Sequence, residues 1–147
     1  MTGWRIGYLT GNTEVIKKAI ALQSQSTSNV CSFAQKGAIA ALQGSKDCVH
    51  QMAEIYNNRR LLIIERLKKI NKISFVPPNG AFYVFPEINL KEIDSISFCK
   101  LALEEVGLAI VPGIAFGDDK CIRISYATST EMINDGIDRL ENLLNTF

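Results

Sequence analysis

The sequence predicts an α+β fold in the broad α/β class: a small mixed or antiparallel sheet covered by helices on one face. Three observations carry that expectation. Three segments with helical apolar spacing open the chain, the third unusually long. After Asn71 the pattern changes to short β-like runs interleaved with two further helical stretches, in the order ββαββα. No internal repeat and no linker rich in Pro, Gly or Ser divides the chain, whose 147 residues are 47% hydrophobic and 21% charged. A chain of that size is expected to bury roughly 70% of its unfolded surface and to fold around a packed core.

The first helix follows Asn12 or Thr13 as cap, with Glu14 in its first turn and Val15, Ile16, Ala19, Ile20 and Leu22 as its stripe. It ends in the polar run QSQSTSN. A second helix is expected after Ser28 or Asn29, with Val30, Phe33, Ala34, Ala38, Ala41 and Leu42 on one side and Gly44 at its stop. The third starts near Ser45 or Asp47 and carries Val49, Met52, Ile55, Leu62, Ile63, Leu67 and Ile70. That stripe lasts for about 25 residues, or roughly 37 Å at 1.5 Å per residue, enough to run between domains. Ile73 to Val76, the PPNG turn, and Ala81 to Phe85 before Pro86 then read as a two-stranded unit. Ser95 or Ser97 opens the fourth helix, through Phe98, Leu101, Ala102 and Val106 to Gly107. Leu108 to Val111 and the alternating Cys121 to Tyr126 read as strands around the PGIAFGDD loop. Thr128 with Glu131 forms a capping box for a last helix bearing Met132, Ile133, Ile137, Leu140 and Leu144. The opening WRIGYL is strand-like but has no partner strand nearby in the sequence.

Several function classes drop out at once. Sixteen Lys plus Arg against fifteen Asp plus Glu leave a net charge of +1, too little field for a nucleic-acid backbone or an anionic membrane without a local patch. The richest apolar stretch, Leu108 to Phe116, is broken by Pro112 and Gly113, so no span of the roughly 20 residues needed to cross a bilayer is present. MTGWRIGY has none of the parts of a signal peptide, and Cys31, Cys48, Cys99 and Cys121 form no CxxC pair. With only His50 available no zinc set is expected, and the cysteines read as reduced thiols of a cytoplasmic protein.

Two arginines stand out. Arg5 lies on a turn between Gly3 and Gly7, where a planar guanidinium and bare backbone can approach a phosphate, although such a pattern is more often a surface turn. Arg123 alternates with Ile122 and Ile124 in CIRISYATS and needs a partner. A structural carboxylate is the ordinary one; a substrate carboxylate held by two parallel hydrogen bonds is its chemical equivalent. The Ser26 hydroxyl reads as belonging to a loop or helix cap, Phe82 and Tyr83 as core, Gly113 and Gly117 as loop geometry, and His50 as a solvent-facing or boundary residue.

Taken together MTGWRIGY, QSTSN, RRLLIIERL, PPNGAFYVFP, LALEEVG, LAIVPGIAFG and CIRISYATS resemble, in the same order, the pyridoxal 5'-phosphate (PLP) dependent class I and II aminotransferases of fold type I, in their aspartate-aminotransferase-like branch. The resemblance covers essentially the whole chain. It implies that Arg5 holds the cofactor phosphate and Arg123 the α-carboxylate of the substrate, that the Phe82–Tyr83 segment runs near the substrate pocket, and that the polar segment of Ser26 runs close to the dimer's active-site region. It implies amino-group transfer between an amino acid and a 2-oxo acid, with no metal, nucleic acid or membrane involved. It also implies the fold: residues 45–147 as the C-terminal small domain with its long connecting helix, and residues 1–44 as a remnant of the PLP-binding large domain.

The family's Schiff-base lysine comes shortly before the segment matching MTGWR, and this sequence starts at that Met. No catalytic residue is therefore assigned, and Val30 stands where the family often has proline. The expectation is a C-terminal portion, inactive alone, belonging to a family of homodimers and completed by an N-terminal half. The rival expectation is a non-catalytic small-molecule-binding or interaction module.

Overall fold

The computed structural model describes residues 1–90 and 93–147. They divide into two compact units, Met1–Cys48 and Val49–Phe147.

The first unit holds a 3-10 turn, Thr2–Trp4, and the helices α1 (Thr13–Ser26) and α2 (Ser32–Gln43). Helix α1 begins as expected, the Asn12 carboxamide oxygen accepting the Glu14 N–H at 2.9 Å. Helix α2 does not begin at Ser28 or Asn29. Ser28 has a left-handed φ of 58°, which cannot lead directly into a right-handed helix, so the start moves on to Ser32 with Cys31 at the cap position. WRIGYL forms no strand: Trp4 ends the 3-10 turn, Arg5 is left-handed at φ 52°, and the residues after it lie in no regular element. A strand needs a neighbour to satisfy its backbone, and none is present among the described residues of this unit. The Trp4 ring instead lies against α2, where a Cβ on Gly37 would stand 3.1 Å from Cζ3. Ala34 is the unit's one buried hydrophobic residue among those described. The expected stripes form on the helices yet cover little: Val15, Ile20, Leu22, Phe33 and Leu42 are all exposed.

Helix α3 (Asp47–Leu67) is 21 residues long, slightly shorter than its pattern suggested. Its C-terminal half carries Ile63, Ile64 and Leu67 into the core of the second unit, while Val49, Met52 and Ile55 stay half-exposed. The elements that follow are β1 (Ile73–Ser74), β2 (Tyr83–Val84), β3 (Glu87–Ile88), α4 (Ser95–Val106), β4 (Val111–Pro112), a 3-10 turn (Gly113–Phe116), β5 (Ile122–Ser125) and α5 (Thr130–Leu144). The expected β4 strand, Leu108 to Val111, is thus reduced to its end.

The two β-runs after α3 do not pair with each other. Ile73 pairs with Ile88 across β1 and β3, and Tyr83 pairs with Ser125 across β2 and β5, both antiparallel. The reason lies at Pro86. Proline cannot donate to a ladder but can accept, and its carbonyl takes the Ile122 N–H at 2.9 Å. A bridge between Glu87 and Cys121 keeps the same register, so the chain passes the proline as one extended stretch. The resulting three-stranded sheet has the order β2-β5-β4, with β5 central.

The core gathers Ile63 and Leu67 of α3, Phe98 and Ala102 of α4, Val84 and Ile122 of the sheet, Tyr126, and Leu140 and Leu144 of α5. Each large apolar side chain fully buried there stabilises the fold by about 1.5–3 kcal/mol relative to exposure. Helix α4 opens at Ser95 as expected, with Asp94 at the cap position accepting the Ser97 N–H at 2.8 Å. The cap of α5 differs by one residue from expectation: Ser129 rather than Thr128 accepts the Met132 N–H at 3.3 Å. Gly107 closes α4 in the left-handed conformation at φ 63°.

Candidate functional site

Strand alternation decides which side chains share the open face of the sheet. Ile122 and Val84 are buried, so their sequence neighbours Arg123 and Tyr83 face the other way. The register that pairs Tyr83 with Ser125 and Glu87 with Cys121 sets Phe85 opposite Arg123. Tyr83, Phe85, Arg123 and Ser125 therefore lie on one face, with Tyr83 diagonal to Arg123 and within reach of a long side chain.

Arg123 uses that proximity. Its guanidinium carbon lies 4.4 Å from the Tyr83 ring centroid and 4.2 Å from that of Phe116, which comes from the 3-10 turn after β4. Phe116 in turn meets Phe85 edge to face, centroids 6.0 Å apart at 86°. No ion pair or side-chain hydrogen bond engages Arg123 among the described residues. The structural carboxylate that a strand arginine ordinarily takes is not what holds it. The guanidinium lies over two ring faces, and none of its N–H donors is taken by a side chain among the described residues.

The loop that delivers Phe116 is tightly built. A Cβ on Gly113 would stand 2.2 Å from the Cys121 carbonyl oxygen and 2.3 Å from that of Asp118, so only glycine fits. The Gly113 N–H donates to the Cys121 carbonyl at 2.8 Å, and Gly117 ends the turn at φ 91°. Buried Ser95 donates its hydroxyl to Asp119 at 2.6 Å and accepts the Ile114 N–H at 3.2 Å, tying the turn to the start of α4.

The segment delivering Tyr83 is held in a similar way. Ala81 is left-handed at φ 59°. Tyr126, fully buried, donates its hydroxyl to the Ala81 carbonyl at 3.1 Å and its N–H to the Phe82 carbonyl at 2.9 Å. Burial pushes the Tyr126 phenol above its ordinary range, which keeps it a donor. On the preceding turn Arg60 donates to the Pro78 carbonyl at 3.2 Å.

Arg5 belongs to the first unit and is exposed. It lines an open concavity of about 550 Å³ together with Trp4, Gly7, Gln23, Thr27, Ser28 and Asn29. No ion pair engages it among the described residues, and nothing lies within 4 Å of where a Cβ on Gly3 or Gly7 would stand. A free guanidinium beside hydroxyl and amide groups, with unobstructed backbone on either side, is a donor set suited to phosphate.

The remaining expected positions are ordinary. Ser26 donates its hydroxyl back to the Leu22 carbonyl at 3.0 Å, Phe82 packs partly buried against the core, and His50 is exposed. All four cysteines are free. Burial pushes the thiols of Cys99 and Cys121 up to about 11. No group of His, Cys, Asp and Glu suited to a metal ion occurs among the described residues. The residues by themselves read Tyr83 as core, although the family resemblance places its segment near the substrate pocket; Phe85 and Phe116 are not singled out by the sequence. Alternation within FYVF puts Tyr83 and Phe85 on one face of their strand, but only the register of β2 against β5 brings them beside Arg123.

The family model for aminotransferase class I and II matches residues 1–140. Aspartate aminotransferase of Bacillus subtilis is 42% identical over 98% of this chain, and the probable aspartate/prephenate aminotransferase of Aquifex aeolicus is 42% identical over 98%. The crystal structure of aspartate aminotransferase from Thermotoga maritima superposes with a TM-score of 0.89 at 39% identity, covering 99% of this chain and 37% of that one. The chain spans 38% of the length of the two sequence relatives, matching a C-terminal portion. With the ordered motifs, the family match and the superposition in agreement, this chain is a member of the class I and II aminotransferases, sharing the C-terminal fold of their fold type I branch.

Proposed function

We propose that the chain serves as the C-terminal portion of a PLP-dependent aminotransferase, in which Arg5 holds the cofactor phosphate and Arg123 the α-carboxylate of the amino-acid or 2-oxo-acid substrate. The observation that carries the reading is Arg123 itself: a guanidinium held over two aromatic rings and engaged by no carboxylate among the described residues. PLP, when bound, supplies the electron sink and carries the amino group. The chain's own contribution is binding and orientation. Two parallel N–H···O contacts from the Arg123 fork fix the substrate's rotation as well as its position, and Arg5 meets the phosphate charge.

The division of labour extends to the two units. Residues 1–44 are read as part of the cofactor-binding domain and residues 45–147 as the small domain. The nearly coreless first unit supports a role inside a larger body, completed by an N-terminal half and paired as a homodimer. Aspartate is the substrate favoured by the names of the relatives. Four free thiols, two of them exposed, suit a reducing cytoplasm. No helix among the described residues is long and apolar enough to cross a membrane.

The test is to restore the remaining half by fusion or co-expression and compare PLP affinity with the amino-acid half-reaction in Arg5→Lys and Arg123→Lys. Arg5→Lys is expected to weaken PLP binding. Arg123→Lys is expected to spare it and to lower kcat/KM roughly tenfold to hundredfold, the loss of a charge-assisted hydrogen bond. The reverse pattern would overturn both assignments, and a completed assembly that binds ligands but never transfers an amino group would favour a binding module.

A further inference from the structure

We infer that Tyr83 and Phe116 are positioning residues for substrate binding, setting the plane of the Arg123 guanidinium by their ring faces while leaving its N–H edge unspent. The inference rests on reading Arg123 as the carboxylate clamp and adds to it the means by which the clamp is held ready.

An arginine on a sheet face can be oriented in two ways. A carboxylate partner gives it a fixed direction but occupies the donors that a substrate needs, so binding must first break that pair. Ring faces attract the cation through its flat side, taking none of its in-plane N–H groups and none of its charge. The molecule uses the second way. Guanidinium-to-centroid distances of 4.4 Å to Tyr83 and 4.2 Å to Phe116 are well inside the ~6 Å range of that attraction. The two rings come from separate parts of the chain, and each is anchored. Tyr83 follows the turn pinned by the Tyr126 hydroxyl, and Phe116 ends the turn that Ser95 and Gly113 hold, with Phe85 against its edge. Phe116 itself is half-exposed. A clamp held ready in this way loses less rotamer freedom on binding, so the benefit appears in substrate affinity.

The experiment is steady-state kinetics of the completed aminotransferase with the variants Phe116→Leu, Tyr83→Leu and the pair together, beside Arg123→Lys. Phe116 is half-exposed, so its replacement leaves the core intact. Each single Leu variant is expected to raise the amino-acid KM about 3- to 10-fold, the worth of one cation–π contact, with the loss falling in KM rather than kcat. Tyr83→Phe and Phe116→Tyr, which keep the rings, should recover most of it, and the melting temperature should not track KM. If Arg123→Lys raises KM while the Leu variants do not, or if the Leu variants lower kcat and stability together with KM unmoved, the positioning role is refuted and the clamp stands alone. If Arg123→Lys itself leaves kcat/KM unchanged, the clamp reading falls and the positioning role with it.

Discussion

Gly113→Ala probes the geometry that places Phe116. The added methyl carbon would sit 2.2 Å from one carbonyl oxygen, 2.3 Å from a second and 2.6 Å from the Cys121 carbonyl carbon. All three are backbone atoms, so no side chain can swing aside; the ladder between β4 and β5 or the turn itself must open. Overpacking of this kind costs about 1–3 kcal/mol. Losing the 2.8 Å bond from the Gly113 N–H to the Cys121 carbonyl adds about 0.5–1.5 kcal/mol. The expected loss is therefore about 1.5–4.5 kcal/mol, which for a unit near 100 residues lowers the melting temperature by roughly 6–36 °C. The control is Gly117→Ala. Gly117 has φ 91° but nothing within 4 Å of a Cβ, so its cost is backbone strain alone, about 1–2 kcal/mol. The assay is urea unfolding followed by far-ultraviolet circular dichroism on both variants and the parent. A Gly113→Ala variant within about 1 kcal/mol of the parent, or no less stable than Gly117→Ala, would show that the turn accepts a methyl group and does not hold Phe116 in place.

Three further outcomes follow from the same structure. Tyr126→Phe removes the hydroxyl that holds the Ala81 carbonyl and should cost about 1–2 kcal/mol in urea unfolding, whereas Ala81→Gly, relieving the left-handed strain at φ 59°, should cost nothing or stabilise slightly. Thiol titration with a disulfide reagent near pH 8 should show Cys31 and Cys48, both exposed, reacting fast, and Cys99 and Cys121, whose thiols are pushed up to about 11 by burial, reacting only on unfolding. The Asp94 carboxyl is held below the ordinary range by the Ser97 N–H and hydroxyl. A depressed carboxylate contributes stability above its unfolded value, about 3.9, and loses it as pH falls through the folded value. The stability gap between the parent and Asp94→Ala should accordingly narrow in acid and stay constant above pH ~5.

The helical elements were legible wherever a stripe met a cap: α1 at Asn12, α4 ending at Gly107, and α5 with Ile133, Ile137 and Leu140 inward. A cap slipped where several Ser and Thr residues stand together, at Thr128–Thr130, because any of them can accept an N–H and only the helix's tertiary seating chooses among them. Strand pairing was not legible, since Pro86 reads locally as a stop and only the β5 ladder shows that its carbonyl continues the sheet. WRIGYL reads as a strand by composition, but composition does not supply a neighbouring strand. At the site, the two arginines were visible as residue types in suggestive places. What holds Arg123 was not, because Phe116 reaches it from a loop whose path depends on contacts at Gly113 and Ser95, far apart in sequence from Tyr83.

The central claim is that Arg123 receives the substrate's α-carboxylate, and the most direct measurement is a crystal structure of the completed aminotransferase with PLP and a non-reactive amino-acid analogue. Two N–H···O contacts of about 2.7–2.9 Å are expected from the Arg123 fork to the α-carboxylate, with the guanidinium still over the Tyr83 and Phe116 rings and Arg5 on the cofactor phosphate. An α-carboxylate bound by other groups, with Arg123 remaining on its rings unengaged, would contradict it.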